Sequence, residues 1–432
     1  MKKILPITHG LRGEIEIPGD KSISHRAVMI SSLADFPVEI TNFLRGADCI
    51  STIGCMRAMG VSIVDEGDRL LVTGNGLDGL IEPDNVLDAG NSGTTLRLLL
   101  GLLSSQTFLT TFTGDNSLRH RPMGRVIEPL LKMGASIVGR NRNKNLPITI
   151  LPSNARLNGI EYEMPVASAQ VKSAILLAGL RAEGATTVIE PALSRDHTER
   201  MLSAFGVRIE RHDRAVTIYP PECFFELSEI EVPGDISSAA YWLVPASIVE
   251  GSDVVIKNVG VNETRTGIID VLRLMGASIE PINQRTSGGE PIADIRVMHS
   301  KLHGVTIGGE MIPRLIDEIP ILAVAAAFAE GETIINDAGE LRVKESDRLK
   351  AIVDEFNRIA PNSFRALGDS LIIRGGGEFQ SASCKTYGDH RMAMSLSIFG
   401  AAAAGVELDA PDCVDISYPN FYKTLERSNR IA

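Results

Sequence analysis

The sequence is short of several things at once. It has no excess of positive charge: 43 Lys and Arg face 54 Asp and Glu, for a net charge of −11. A general nucleic-acid binder shows the opposite balance, so no nucleic-acid partner is expected. A local cationic pocket for a small anion is still allowed. Long apolar runs are missing too. The longest, such as LRLLLGLL at 96–103, fall well short of the ~18 residues a membrane span needs. The opening MKKILPITHGLRGE has too brief an apolar stretch for a signal peptide, so a cytoplasmic protein without a membrane partner is expected. The five cysteines, at 49, 55, 223, 384 and 413, are scattered and form no C-x-x-C pair. That suits reduced thiols and argues against a disulfide framework. There is no G-x-x-x-x-G-K-[ST] loop, no G-x-G-x-x-G between a strand and a helix, and no His/Cys spacing for a metal. The remaining composition, 44% hydrophobic and 22% charged over 432 residues, is that of a globular chain with room for two or more domains.

What is present is a repeat. TIGCMRAMGVSI, IEPLLKMGASI, TERMLSAFGVRI and IIDVLRLMGASI each carry apolar residues at helical spacing and then a glycine, Gly60, Gly134, Gly206 and Gly276, roughly 70 residues apart. Such a glycine suits the left-handed position that ends a helix. Weaker copies occur at SDRLKAIVDEFNRIAP and NFYKTLERSNRIA, which makes about six units. Each unit also holds a segment that is apolar nearly all round: SHRAVMISSLA, TTLRLLLGLL, SAQVKSAILLAGL, SSAAYWLVPASIV, EIPILAVAAAFA and HRMAMSLSIFGAAAA. A helix with no polar face is buried. Short β-rich stretches lie between. The pattern predicts a mixed α/β fold in which three units close around shared buried helices, twice over.

The seams fall at two matching segments, PGDKSISHR at 18–26 and PGDISSAAY at 233–241. Each follows a strand-like run and enters a buried helix. The expected lobes are residues 1–19 with 233–432, and 20–232, with Pro and Gly giving a fixed turn at a two-strand hinge.

The six buried helices begin with DKSISHR, GNSGTTLR, VASAQVK, GDISSA, LIDEIP and YGDHR. Polar residues there cap backbone N–H groups. Four starts also hold ionised groups: Lys21 and Arg26, Lys172, Asp317, and Arg391 beside His390. Caps do not need cations, and a cation at a helix N-terminus is disfavoured. Its recurrence points to anion binding. GDISSA has no cation and reads as a cap. Two further basic segments, RHRPMGR with Arg119, Arg121 and Arg125, and RVKESDR with Arg342, Lys344, Glu345, Asp347 and Arg348, add charge for a ligand with several negative groups.

Seven segments in order, PGDKSISHRA, GNSGTTLRL, RPMGRVIEPL, ASAQVKSA, IDEIP, RVKESDRL and YGDHRMAM, resemble the 3-phosphoshikimate 1-carboxyvinyltransferase (EPSP synthase) family over residues 18 to ~425. The resemblance implies two lobes, each of three βαβαββ units arranged as an inside-out α/β barrel, joined by two crossover strands, with the active site in the cleft between. It implies transfer of the enolpyruvyl group of phosphoenolpyruvate to the 5-hydroxyl of shikimate 3-phosphate through a tetrahedral intermediate, by a monomer without cofactor or metal. For shikimate 3-phosphate it implies Lys21, Ser22, Arg26, Ser168, Ala169, Gln170, Arg195, Asp317 and Lys344. For phosphoenolpyruvate it implies Lys21, Gly93, Arg121, Gln170, Arg348 and Arg391. The catalytic set would be Asp317, which accepts the hydroxyl proton, Glu345, which handles the methylene proton, and Lys21. Room at Gly93 further implies sensitivity to glyphosate.

One branch of the family has a lysine before the C-terminal aromatic-Pro turn. This chain reads CVDISYPNF, with Ile416 and Ser417 there, and Lys172 is one residue that could compensate. The competing readings are enolpyruvyl transfer to a UDP-amino sugar, a non-catalytic repeat protein that binds phosphorylated ligands, and a phosphate cyclase on a similar repeat. The first relies on a loop cysteine, and FTGDNSLRHR at 112–121 has none.

Overall fold

The computed structural model describes residues 1–153, 155–224 and 227–428. Six helices are sunk in the interior: Lys21–Ser31, Gly93–Leu103 and Ala169–Gly179, then Ile236–Ile248, Ile319–Phe328 and His390–Ala402. They are the six segments without a polar face, and burial is the only environment that suits them. Small residues let them pack backbone to backbone. At Gly101 an added Cβ would lie 2.1 Å from the carbonyl oxygen of Ala174 on the neighbouring helix, so no side chain fits.

The half-polar segments form the outer helices Ala47–Ala58, Gly124–Lys132, His197–Ala204, Gly267–Leu274 and Phe421–Ser428. The fifth copy is a continuous run, Arg348–Ala351, Ile352–Phe356 and Asn357–Ile359, whose middle turn is wound wider than an α-helix. The last four residues of the sixth copy, 429–432, lie outside the described residues. The four repeat glycines have φ between +80° and +101°, the left-handed stop anticipated for them.

Among the described residues, five four-stranded sheets each have an outer strand parallel to the second, and in four of them two antiparallel pairings follow. Leu87–Asp88, Thr110–Thr113, Asn145–Ile150 and Ile137–Gly139 lie in that order. The sixth repeat has a three-stranded sheet of Lys2–Ile4, Val406–Leu408 and Ala382–Cys384. Strand residues alternate as a half-buried sheet requires: in Pro37–Thr41, Val38 and Ile40 are buried and their neighbours are not.

The chain divides into two compact units, residues 1–18 with 234–285 and 291–432, and residues 19–233 with 286–290. Each has its own apolar core. Thr286–Glu290, which the sequence reading leaves in the first lobe, groups with the second. The matching PGD segments stand where the chain leaves one unit for the other. The strand before the first, Arg12–Ile15, pairs in parallel with Asp253–Gly260 and completes a sheet of the first unit. The strand before the second, Glu229–Glu231, pairs in parallel with Pro37–Thr41 and completes a sheet of the second. Each strand closes its own unit, and the aspartate after it starts a helix of the other. Asp20 caps its helix through Ile23 N–H and Asp235 through Ser237 N–H, both at 2.9 Å.

Candidate functional site

In the second unit the buried helices start close together. Lys21 Nζ lies 3.2 Å from Asp48 Oδ2, on the first turn of the outer helix Ala47–Ala58. Arg26 is buried one turn further on. Its Nε donates to Thr198 Oγ1 at 2.6 Å, Nη2 to Ser173 Oγ at 2.7 Å and Nη1 to the Ser22 carbonyl at 2.9 Å. Burial pulls its pKa down to about 10, against the pull of Glu199 and Asp20, and Arg195 adds repulsion. Arg26 is therefore a desolvated cation, still charged at neutral pH, held by neutral hydroxyls. Ser168 caps the next helix at Val171 N–H, and Ala169 and Gln170 form its first turn.

Gln170 Nε2 donates to Thr94 Oγ1 at 3.0 Å, and its oxygen accepts from Arg97 Nη1. Arg97, which the sequence reading passed over, is buried, and its Nε has no hydrogen-bond partner among the described residues. Burial, then repulsion from Arg125 and Arg121, lowers its pKa to about 9. No carboxylate lies within ion-pair distance of it among the described residues. An added Cβ on Gly93 would sit 3.0 Å from Arg97 Nη1 and 3.5 Å from Arg121 Nη1. Arg121 is held by Asn91, with Nη2 donating to Oδ1 at 2.6 Å and Nη1 to the carbonyl at 3.3 Å. Two arginines, Arg97 and Arg121, beside a glycine-containing helix start and with no carboxylate partner among the described residues, are a place for an anion.

In the first unit the ions gather around Arg348, whose side chain has no exposure. Nε donates to Asp389 Oδ2 at 2.8 Å, and Nη2 donates to Asp389 Oδ1 at 3.2 Å and to Glu345 Oε2 at 2.6 Å. Nη1 reaches Asp317 Oδ1 at 3.4 Å. Burial works against its charge, but Glu345 and Asp389 outweigh burial and hold its pKa above the ordinary value. Asp389 is the reciprocal case: burial would raise it, and Arg348 draws it below the usual carboxylate range. Lys344 Nζ is 3.6 Å from Asp317 Oδ1, and Arg391 Nη2 is 4.0 Å from Oδ2. Arg391 is raised although burial opposes it, because Asp317 and its neighbours dominate. Asp317 thus faces three cations and keeps some exposure.

Lys172 is a correction. It does not stand free to replace a missing cation. It is buried, with Glu190 Oε2 at 2.7 Å and Glu199 Oε1 at 2.8 Å. Ile416 lies in the 3-10 turn Pro411–Ile416 and brings no charge. Among the described residues, no cluster of His, Cys, Asp and Glu side chains is arranged to hold a metal ion, and no helix is long and apolar enough to cross a membrane.

The repeat architecture is a known one. The enolpyruvyl transferase NikO from Streptomyces tendae matches over 98% of this chain and 96% of its own, with a TM-score of 0.78 at 17% identity, a likeness of fold. The chain therefore shares the fold of that protein, a mixed α/β fold in two compact units. A structure of EPSP synthase from Acinetobacter baumannii matches more closely, with a TM-score of 0.91 at 42% identity over 99% of this chain and 97% of that one. The 3-phosphoshikimate 1-carboxyvinyltransferase of Desulforudis audaxviator is 54% identical over 98% of each chain. The family model for EPSP synthase (3-phosphoshikimate 1-carboxyvinyltransferase) matches residues 6–425. The chain belongs to the EPSP synthase family and is a transferase.

Proposed function

We propose that the chain transfers the enolpyruvyl group of phosphoenolpyruvate to the 5-hydroxyl of shikimate 3-phosphate and releases phosphate. What carries this reading, beside family membership, is the cluster of Asp317, Lys344, Glu345, Arg348 and Arg391, an acid–base set embedded in cations. The methylene carbon of phosphoenolpyruvate takes a proton, C2 becomes electrophilic, and the 5-oxygen attacks it. Loss of phosphate and of a methyl proton from the tetrahedral adduct restores the double bond. Asp317 accepts the hydroxyl proton, and Glu345 gives and retakes the carbon-bound one. Arg348 pairs with Glu345 at 2.6 Å. A substrate carboxylate that engages Arg348 would weaken that hold and let Glu345 take up a proton.

Lys21, Ser22, Arg26, Ser168, Ala169, Gln170 and Arg195, with Asp317 and Lys344, hold shikimate 3-phosphate. Lys21, Gly93, Arg121, Gln170, Arg348 and Arg391 hold phosphoenolpyruvate, and Arg97 joins them. Developing negative charge on the leaving phosphate meets preorganised cations. The partners are two small anionic metabolites. The chain works as a cytoplasmic monomer, without nucleic acid or membrane. The test is phosphate release from phosphoenolpyruvate with shikimate 3-phosphate as acceptor, against a UDP-amino sugar. Release with the shikimate ester alone is expected. No release with it, or release with the nucleotide sugar instead, overturns the reading.

A further inference from the structure

Beneath Lys21 lies a chain of four buried polar side chains to which the roles above assign nothing. His25, on the helix of Lys21, has its Nδ1 2.7 Å from Thr52 Oγ1 on the helix of Asp48. Thr52 Oγ1 is 2.7 Å from Thr95 Oγ1, and Thr95 Oγ1 is 2.8 Å from Ser92 Oγ. All four residues have zero exposure. Ser92 caps the Gly93–Leu103 helix through Thr95 N–H at 3.1 Å. The chain thus spans three helices, from the residue before Arg26 to the residue before Gly93.

The direction of its protons can be read from one contact. Thr95 Oγ1 also lies 3.3 Å from the Asp48 carbonyl, which can only accept. The Thr95 proton therefore points toward Asp48 O and Ser92 Oγ. Thr52 must then donate to Thr95, and His25 Nδ1 must carry the proton given to Thr52. His25 Nε2, which has no hydrogen-bond partner among the described residues, is left as a bare lone pair with no N–H to strand. A single tautomer of His25 satisfies the whole series.

We infer that His25 is a positioning residue for phosphoenolpyruvate: its Nδ1–H, relayed through Thr52 and Thr95, fixes the Ser92 cap and with it the Gly93 helix start. This deepens the proposed transfer and rests on it. Arg26, the neighbour assigned to shikimate 3-phosphate, has its own hydroxyl partners in Thr198 and Ser173. The relay therefore acts on one substrate more than the other.

The test uses the full-length chain and three variants. His25→Asn keeps an N–H donor near the Nδ1 position. His25→Gln moves its polar atoms to the Nε2 end, and Thr52→Val breaks the relay with the histidine in place. The KM for phosphoenolpyruvate should rise roughly five- to twentyfold in His25→Gln and Thr52→Val, the ratio expected for one buried hydrogen bond left unmade. The KM for shikimate 3-phosphate should stay within about twofold, and His25→Asn should restore most of the loss. Equal rises for both substrates, no rise, or a His25→Asn as impaired as His25→Gln would overturn the inference. Nitrogen-15 NMR of the wild-type ring gives an independent reading that needs no turnover: a neutral ring with the proton on Nδ1 supports the relay, and a proton on Nε2 overturns it. If the wild-type chain fails to release phosphate, the transfer reading falls, while the tautomer still decides the relay.

Discussion

Asp389 is the residue whose loss can be weighed most directly. Its carboxylate is fully buried and accepts from Arg348 Nε at 2.8 Å, Arg348 Nη2 at 3.2 Å and Ser346 Oγ at 2.9 Å, and it caps the His390–Ala402 helix through Arg391 N–H at 2.9 Å. Asp389→Ala removes all four bonds. Loss of a cap costs about 0.5–2 kcal/mol. Stranding one member of a buried ion pair costs about 3–5 kcal/mol. The two losses overlap, and Glu345 and Asp317 still face the guanidinium, so about 3–4 kcal/mol is expected. At about 2–4 °C per kcal/mol for a domain of 150–250 residues, the midpoint of the first unit should fall by about 6–16 °C. The chain has one tryptophan, Trp242, buried in that same unit, so a tryptophan-fluorescence melt reads the right transition. Asp389→Ser, which can still cap, should lose nearly as much. The pH dependence follows from the lowered pKa of Asp389. As pH falls, the unfolded chain takes the proton first, near its ordinary value of about 3.9. The stabilisation is complete above that value and is lost as pH drops through the folded pKa. The gap between wild type and Asp389→Ala should therefore be full at pH 7 and shrink below about pH 4. A midpoint within about 2 °C of wild type at pH 7 would refute this account.

In the second unit, Lys172→Met leaves Glu190 and Glu199 buried without their cation and should cost about 3–5 kcal/mol, read as an earlier transition in far-UV circular dichroism. The pKa of Lys172 is raised although burial opposes it, because Glu199 and Glu190 prevail. Its contribution is thus whole below about pH 10.4 and declines only as pH rises through the folded value, so a gap that closes between pH 8 and 10 would contradict it. Arg97→Met should do the reverse to stability. It removes a buried cation repelled by Arg125 and Arg121, so the melting midpoint should hold or rise while the KM for phosphoenolpyruvate climbs at least about tenfold, a trade-off between stability and function; a lowered midpoint with unchanged KM counts against it. Glu345→Gln and Asp317→Asn should each lower kcat by about 10²–10⁴. Glu345→Gln weakens a 2.6 Å pair with buried Arg348, so its midpoint should fall, though by less than in Asp389→Ala because Glu345 is itself partly exposed; wild-type turnover in either variant removes that residue from the catalytic set.

The fold was legible because each repeat announces itself twice, once by an apolar segment with no polar face and once by an amphipathic segment that stops at glycine. Both are consequences of burial and backbone geometry, which leave a periodic trace. The clusters of charged side chains were legible in part. Lys21, Arg26 and Arg391 stand out because cations at helix starts break a local rule, whereas Arg348 shows in sequence only as part of the basic segment RVKESDR. Asp389 was read as one letter of YGDHR, and nothing in sequence separates a cap from a cap that also holds a buried arginine 41 residues away. The GDISSA start was read as a plain cap for want of a cation, yet Arg265 supplies one from 28 residues on, with Nη2 donating to Ser237 Oγ at 2.8 Å. Lys172 shows the opposite error: a cation at a helix start whose partners, Glu190 and Glu199, follow by 18 and 27 residues in sequence and so cannot be seen by spacing alone. Contacts of that kind are set by how repeats stack, and no local pattern encodes them.

A cation at a helix N-terminus opposes the dipole, and the chain meets that cost in two ways. At Arg26, Arg348 and Arg391 the groups around each guanidinium include hydroxyls or carboxylates, and Asp317 and Glu345 are carboxylates of the kind a substrate anion can replace. Binding there is an exchange of partners, so its net energy is modest and its specificity depends on geometry. At Arg97 the charge is buried with only Gln170 as a side-chain partner among the described residues and with two other arginines nearby. Binding there relieves repulsion and adds attraction, so an anion arriving beside Gly93 gains more from Arg97 than from any cation already paired. The two kinds behave differently toward a ligand: the Gly93 helix start of the second unit can hold an anion firmly through Arg97, while Glu345 and Asp317 in the Arg348 cluster of the first unit stay exchangeable, the property that the proposed giving and retaking of a proton asks of them.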